Sequence, residues 1–472
     1  MSEKTLPAAS SHMASENAAP LTAYEIVAPL LPEAATVETV RSVRNEPVNR
    51  DVPLPLPATS PPSSQPPTEP KSSGRLVSLD VMRGLTVCLM ILVNYQIEDQ
   101  AFPYLKHPEW TDGVSIADTV FPNFLFVMGL AVPLAARRLE GPVSTVAWRI
   151  AKRTVVLFLL GMFLSNFPFT DPTIAQRWRP MGVLQRLAIV YGVCASAFVW
   201  LRPDRPNASK RNVLLFNVAF PLGALTLWLA LTFGVRPPGC DRGELTMECS
   251  VESYFDSSLF GQEHNYQQKP FDPEGTLSQV TATLSCYLGL RIGMLVVRDR
   301  AHLRTKAGQL QRTAEWSLIA FSFALLAYLF NGLIPTSKVL WTPTFVLFAG
   351  AISLVELASM IYLVDTRDLR HSENRWIARP FGWLMDASLA VGRNPLAIYM
   401  ASELFAAIMM TIPVPPGADG EPRSLWGILF RYVLASWLPI YLNSLIWSLA
   451  WVLAVYIPMA ILLDRRGWYL KL

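Results

Sequence analysis

From about residue 79 onward the chain alternates long apolar runs with short polar connections. A spanning helix needs about 20 largely apolar residues. That criterion predicts spans at about 79–97, 117–136, 153–168, 183–201, 213–233, 278–297, 315–334, 342–364, 391–411 and 438–463. The first has the shortest clean run, "LTVCLMILVNY", with Asp80 and Arg83 at its entry. The stretch "SLWGILFRYVLASW" is interrupted by Arg431 and reads as an interfacial or re-entrant helix, not an eleventh span. The predicted fold class is therefore all-α, a polytopic membrane helix bundle of about ten transmembrane helices.

Residues 1–74 break this pattern. They include "PLPLPATSPPSSQPPTEPKSSG" and no long apolar run. Such a segment buries too little surface to offset its ordering entropy, so it reads as a disordered tail ahead of a transmembrane domain at 75–472. It has no basic start, apolar core and small-residue cleavage site, so the first span is expected to act as the insertion signal.

Composition agrees with the pattern. Apolar residues make up 51% of the chain and charged residues 16%, against about 25% charged in a soluble domain. The net charge of +4 is spread over many loops and fits membrane orientation better than nucleic-acid binding. Basic clusters such as "WRIAKR", "RPDRPNASKR", "VRDRAHLRTKAGQLQR" and "DRRGWYLKL" fall on the even-numbered connections and the chain ends. The positive-inside rule then places both termini in the cytosol. The connections holding His107, residues 234–277 and Lys338 face a lumen or the exterior; endomembrane and plasma membrane both satisfy this. The sequon at Asn207 falls in a predicted cytosolic loop and should carry no glycan. No internal repeat is visible, which weakens a transporter built from inverted halves.

The five cysteines have no metal-ligand or redox spacing. Cys88, Cys194 and Cys286 fall in or near spans and read as packing residues. Cys240 and Cys249 share one long loop; whether they pair depends on the compartment that loop faces and on geometry that spacing does not give.

Chemistry concentrates where polar residues meet apolar runs. In "LKHPEWTDGVSIADTVFPNFLFVMGL", His107 is followed by Glu109, Asp112 and Asp118. Histidine titrates near neutrality, and a carboxylate can orient its ring. The same residues also read as a polar connection with Asp118 as helix cap. Asn94 lies at the outer end of the first span and reads as a packing amide or a hydrogen-bond donor to substrate. The loop "VESYFDSSLFGQEHNYQQKPFDPEG" mixes aromatic and polar groups around His264, with turn chemistry at Asp272-Pro273-Glu274-Gly275. Sugar-contacting surfaces and folded lids both look like this. On the cytosolic side, Asp80 and Arg83 are three apart and suit an ion pair. Arg149, Lys152 and Arg153 suit phosphates or simply the positive-inside rule. Arg186, within the fourth span, is a functional candidate with no partner evident. Asn394 precedes Pro395, which breaks helical regularity at depth.

With these residues assembled, the chain resembles the transmembrane acetyltransferases typified by heparan-α-glucosaminide N-acetyltransferase. The matching pieces are "RLVSLDVMRGLT", "VNY", "KHPEWTDGVSIADTVFPNFLFVMG", "GVLQRLAIVYG", "FGQEHNYQQKPFDPEG", "LWTPTFVL" and "GRNPLAIY", in the family's order. The resemblance implies acetyl transfer from cytosolic acetyl-CoA, without a metal, to the amine of an amino sugar or related acceptor across the membrane. It implies His107 as base or acetyl carrier, with Asp118 and Asn94 beside it. Combined with the residue readings above, this makes Arg83, Arg149, Arg153 and Arg186 candidate donor contacts, and Trp110, His264, Asp272 and Asn394 candidate acceptor contacts. A homodimer in the bilayer is consistent with the family. Two departures lie beside the acceptor site: Thr111-Asp112 stands between Trp110 and Gly113 where the family has one residue, and the stretch from Asn94 to His107 is longer. The competing readings are a transporter or flippase of a polar solute, and a scaffold whose proline-rich tail recruits partners.

Overall fold

The computed structural model describes residues 76–472 apart from 98–99, 109, 111–112, 171–172, 416–422 and 471–472. The tail predicted at 1–74 lies outside the described residues, as do Glu109 and Asp112. In chain order the principal helices are α1 (Val77–Asn94), α2 (Ile116–Leu134), α3 (Val143–Asn166), α4 (Val183–Leu201), α5 (Lys210–Gly234), α6 (Val251–Phe260) and α7 (Ser278–Arg298). They continue as α8 (Lys306–Phe330), α9 (Pro343–His371), α10 (Arg375–Arg393), α11 (Pro395–Thr411), α12 (Leu425–Ala435) and α13 (Leu442–Arg465). One two-residue ladder, Pro413↔Ser424 and Val414↔Arg423, leads into α12.

Eight of these helices are long and apolar enough to cross a membrane: α1, α2, α4, α5, α7, α8, α9 and α13. The other two predicted spans are also helical. α3 runs the needed length but carries Arg149, Lys152 and Arg153 in its first half, and α11 has only 17 residues. The predicted ninth span, 391–411, is divided. Its first three residues close α10, an amphipathic helix that sequence reading had taken for part of a basic loop. Asn394 leaves helical geometry at φ −134° and ψ 45°, and Pro395 opens α11. Proline disfavours the α region for the residue before it and brings no N–H, so the chain breaks there and restarts. The "SLWGILFRYVLASW" stretch forms the short α12, as expected of a non-spanning segment.

Burial ranks the helices. α2 is the central one, with 72% of its apolar window buried; α5 and α8, with 11% and 17%, present their apolar faces outward. Residues such as Leu318, Phe321, Tyr328 and Leu329 cover that outer face of α8, as a lipid-facing helix requires. Hydrophobic burial drives helices together weakly within lipid, so close backbone approach matters more. The α2–α7 contact depends on it: a Cβ on Gly289 would stand 1.9 Å from the Phe126 carbonyl oxygen, and one on Gly129 would stand 1.9 Å from that of Cys286.

The bundle has two chemically distinct ends. At the terminus end, the Asp365 carboxylate accepts from the first N–H groups of α1, Val77 at 3.3 Å and Ser78 at 3.4 Å. It satisfies donors that no helix can satisfy internally. At the histidine end, α1 finishes at Asn94 and α2, α4, α7 and α9 begin. Tyr95 is packed there against Trp426, with ring centroids 5.0 Å apart, and its hydroxyl donates to Ser402 O at 2.8 Å. These contacts fix the end of α1. The lobe between α5 and α7 covers this end and is closed by a disulfide, Cys240–Cys249, with Cα atoms 5.5 Å apart. Gly289→Leu should separate α2 from α7 at a cost of about 1–3 kcal/mol. Thermal unfolding in detergent, followed by size-exclusion fluorescence, should give a clearly lower midpoint; an unchanged midpoint would mean the contact is not tight.

Candidate active site

The site grows from the first turn of α2. Ser115 is the N-cap and Asp118 the third helical residue, and the Asp118 carboxylate reaches back to the Ser115 N–H at 3.0 Å. This is the acidic half of a capping box. Asp118 is thus the cap that its position suggested. It is also a partner of the histidine: its other oxygen lies 2.6 Å from His107 Nδ1. Asp118 is 2% exposed, whereas the His107 side chain is 48% exposed. The carboxylate is buried and the ring it holds is open to solvent.

A third group completes the arrangement. Lys338 Nζ lies 3.4 Å from Asp118 and 3.3 Å from His107 Nδ1. Lys338 precedes α9 and is distant in sequence. The signal available was a lone cation on a side otherwise poor in them, directly ahead of "LWTPTFVL".

Trp110 brackets the histidine loop. Its backbone sits in the left-handed region at φ 38°, a conformation that a bulky residue keeps only when its surroundings hold it. They do so three ways. Its indole N–H donates to Leu245 O at 2.5 Å, its carbonyl accepts from Ser337 at 2.8 Å, and its ring meets Phe271 edge-on at 4.7 Å. The indole N–H is therefore engaged in building the site.

The covering lobe is organised around charge. Arg179 binds Asp272 through Nε at 2.7 Å and Nη2 at 2.6 Å, and Glu274 through Nη2 at 2.6 Å. Asp272 also accepts from the N–H of Tyr266 and of Glu274, so it serves as a latch of the lobe. Asp256 accepts from the N–H groups of Asp272 and Thr276 and shapes the turn between them. Gly275 is required in that turn, because a Cβ there would lie 2.0 Å from the Asp256 carboxylate. Burial alone would raise Glu274; the charges of Arg179, Arg186 and Lys338 outweigh it and hold that carboxyl below its usual range. Burial raises Asp256 to about 6 and Glu252, whose carboxylate accepts from Trp228, to about 7.

The remaining candidates divide between the two ends. Arg186, expected to contact the donor, lies at the histidine end and is fully buried. It donates to Pro273 O at 3.0 Å and to Ser278, and stacks over Trp341 at 4.6 Å. It holds the lobe onto α4 and α7, away from the basic end of the bundle. His264 is half-buried; its Nδ1 lies 2.7 Å from the carbonyl oxygen of Trp178, and its ring packs against the Trp178 ring. Asn94 donates to Glu403 at 2.9 Å. Glu403 is the only acid in "LAIYMASELFAAIMM" and went unread in the sequence. At the terminus end, Arg83 pairs with Asp80 at 3.2 Å, as its spacing implies. Arg153 stacks over Tyr191 at 4.5 Å, and Arg149 is exposed on the same helix. Asn394, expected to contact the acceptor, also lies at the terminus end. Its amide donates to Trp468 O at 2.9 Å and its oxygen accepts from Leu470 N at 3.0 Å, tying down the last residues of the chain. It sits one residue after α10, which packs along the first turns of α1, so it cannot share a site with His107.

Comparison with known proteins shows what the chain is similar to. Residues 75–236 match the family model described as heparan-alpha-glucosaminide N-acetyltransferase, catalytic. That segment holds Asn94, His107, Asp118 and Arg186; Lys338 and Glu403 lie beyond it. The chain is 30% identical over 369 residues to the human heparan-alpha-glucosaminide N-acetyltransferase, covering 70% of this chain and 53% of the relative. It is 30% identical over 379 residues to the mouse protein of the same name, covering 72% and 55%. The chain thus spans about half the length of the curated relatives it matches.

The raised carboxyls of the lobe predict a pH dependence of stability. A folded-state pKa above the unfolded value means the folded lobe retains protons that the unfolded chain releases. The stabilisation is full below about pH 4 and is lost as pH rises through the folded values of about 6 and 7. Unfolding midpoints should therefore fall between pH 5 and pH 8, and Glu252→Gln should flatten that fall and raise the midpoint at pH 8. A midpoint that climbs across this range, or a slope indifferent to Glu252→Gln, would contradict the assignment.

Proposed function

We propose that this chain, which belongs to the heparan-alpha-glucosaminide N-acetyltransferase-like transmembrane family, moves an acetyl group from acetyl-CoA to the amine of an amino sugar or related acceptor. The observation that carries this reading is the His107–Asp118–Lys338 cluster at one end of a membrane helix bundle. An ionised carboxylate only accepts hydrogen bonds. The 2.6 Å contact with Asp118 therefore assigns the Nδ1 proton of neutral His107 to that bond. The lone pair is then on Nε2, on the exposed side of the ring.

An amine attacks a thioester through its own lone pair. As the nitrogen–carbonyl bond forms, Nε2 of His107 takes the proton that the nitrogen gives up. The carbon–sulfur bond breaks, and the leaving thiolate takes that proton back from Nε2 to give the thiol of CoA and neutral His107. Asp118 stabilises the imidazolium as it forms. It is buried and already bonded to Ser115, so it keeps its position through the step. Lys338 balances the carboxylate between turnovers, when the ring is neutral. Asn94 gives one amide N–H to Glu403, and its second would donate to the thioester oxygen as charge develops there.

Two independent features support the direction of transfer. The basic connections belong to the terminus end, which the positive-inside rule assigns to the cytosol. The disulfide belongs to the lobe at the histidine end, and disulfides persist in oxidising compartments. Both support a donor arriving from the cytosol and an acceptor arriving from the other side.

His107→Ala in proteoliposomes should lower acetyl transfer to a panel of amino sugars by at least about 100-fold, with expression and unfolding midpoint retained. Turnover near that of the parent protein would overturn the assignment.

A further inference from the structure

Midway between the two ends, three polar side chains meet inside the bundle, and neither the site nor the fold described above uses them. Asn123 of α2 donates through Nδ2 to Thr86 Oγ1 of α1 at 2.9 Å and to Glu356 of α9 at 2.7 Å. The Thr86 hydroxyl donates to its own helix, at Met82 O. All donors of the cluster are then engaged. What remains is acceptors: Asn123 Oδ1, which is buried and has no hydrogen-bond partner, and the second carboxylate oxygen of Glu356. With its carboxylate ionised, Glu356 takes the Asn123 nitrogen as its partner, which sets the orientation of that amide. Asn123 is 4% exposed and Glu356 is only partly buried, so the cluster is not sealed on every side. Unpaired acceptors at this depth cost free energy unless something donates to them.

We infer that Thr86, Asn123 and Glu356 form a binding subsite for the amide N–H groups of the donor's pantetheine arm. This rests on the acetyl-CoA reading above. Arg83, Thr86 and Asn94 are spaced three and eight apart and share one face of α1. At 1.5 Å per residue, Thr86 lies about 12 Å below Asn94, and Arg83 about 16 Å below it. An arm with its thioester at Asn94 and its phosphates near the Arg83 end passes the cluster on its way. Its amides are neutral donors, which suit a site offering acceptors only. They also add no charge at this depth.

The subsite is tested by binding, without turnover. In nanodiscs, the affinities of CoA and of adenosine 3′,5′-bisphosphate, which has no arm, are compared for the parent protein, Glu356→Leu, Asn123→Leu and Glu356→Gln. The subsite predicts that the preference for CoA over the nucleotide falls at least tenfold in both leucine variants. It falls less in Glu356→Gln, which keeps an acceptor oxygen, and nucleotide affinity stays within twofold throughout. A preference for CoA that survives both leucine substitutions overturns the inference. So does an equal loss of both ligands that extends to Glu356→Gln, because the cluster is then structural. Failure of the parent protein to bind CoA at all would instead overturn the acetyl-CoA reading.

Discussion

A buried carboxylate has to be compensated, and in this protein that requirement falls on Asp118. Taking an ionised group out of water costs several kcal/mol unless charges and donors surround it. Asp118 is almost wholly buried and has three compensating partners: the Ser115 N–H, the His107 ring and the Lys338 ammonium. Each comes from a different place, namely the helix cap, the loop before α2 and the turn before α9. Satisfying Asp118 therefore joins those segments. The Trp110 bracket and the Arg179–Asp272–Glu274 latch close the lobe over the same point. The proposed site and the local fold share one electrostatic constraint. The histidine can remain exposed because its partner is the buried member of the pair.

Most of the fold could be read from hydropathy, since lipid exposure demands unbroken apolar length. Reading failed where length and polarity separate. α10 has as many apolar residues as a short span, but they lie on one face, and a count of apolar residues along "RWIARPFGWLMDASLAVGR" does not register a face. The break at Asn394 is a local backbone effect of Pro395. The proline was visible; that it would divide one predicted span between two helices was not. α3 was read as starting ten residues late, because its first turns carry the charges that mark a membrane boundary.

The site was legible in proportion to sequence distance. His107 and Asp118 are eleven residues apart, and a capping position limits where the carboxylate can point. Asp80 and Arg83 were readable for the same reason. Lys338 and Glu403 were not, because only the packing of α9 and α11 against the ends of α2 and α1 brings them near. Arg186 and Asn394 show the converse. Arg186 was read as a donor contact and Asn394 as an acceptor contact, and each is engaged with a backbone carbonyl. Polarity at depth identifies a constrained residue, and the partner decides whether the constraint serves the fold or the chemistry.

The same distinction bears on the interior of the bundle. A helix bundle that only had to stand in a membrane would gain by replacing Glu356 with an apolar side chain of similar volume, since a buried polar cluster is seldom more stable than an apolar one. Arg186 bonds Pro273 and Ser278 through Nη2 and stacks on the Trp341 ring, while its Nε and Nη1 are buried without a hydrogen-bond partner, an excess of donors; Asn394 has both its amide groups bonded. The Thr86–Asn123–Glu356 cluster differs, because its internal bonds leave an excess of acceptors. An excess of one hydrogen-bonding type is complementary to a ligand presenting the other. A structural cluster would have been closed by one further donor, such as a serine or glutamine on the facing helix. Its one-sided composition is what a passage for a donor-bearing chain between the two ends would require.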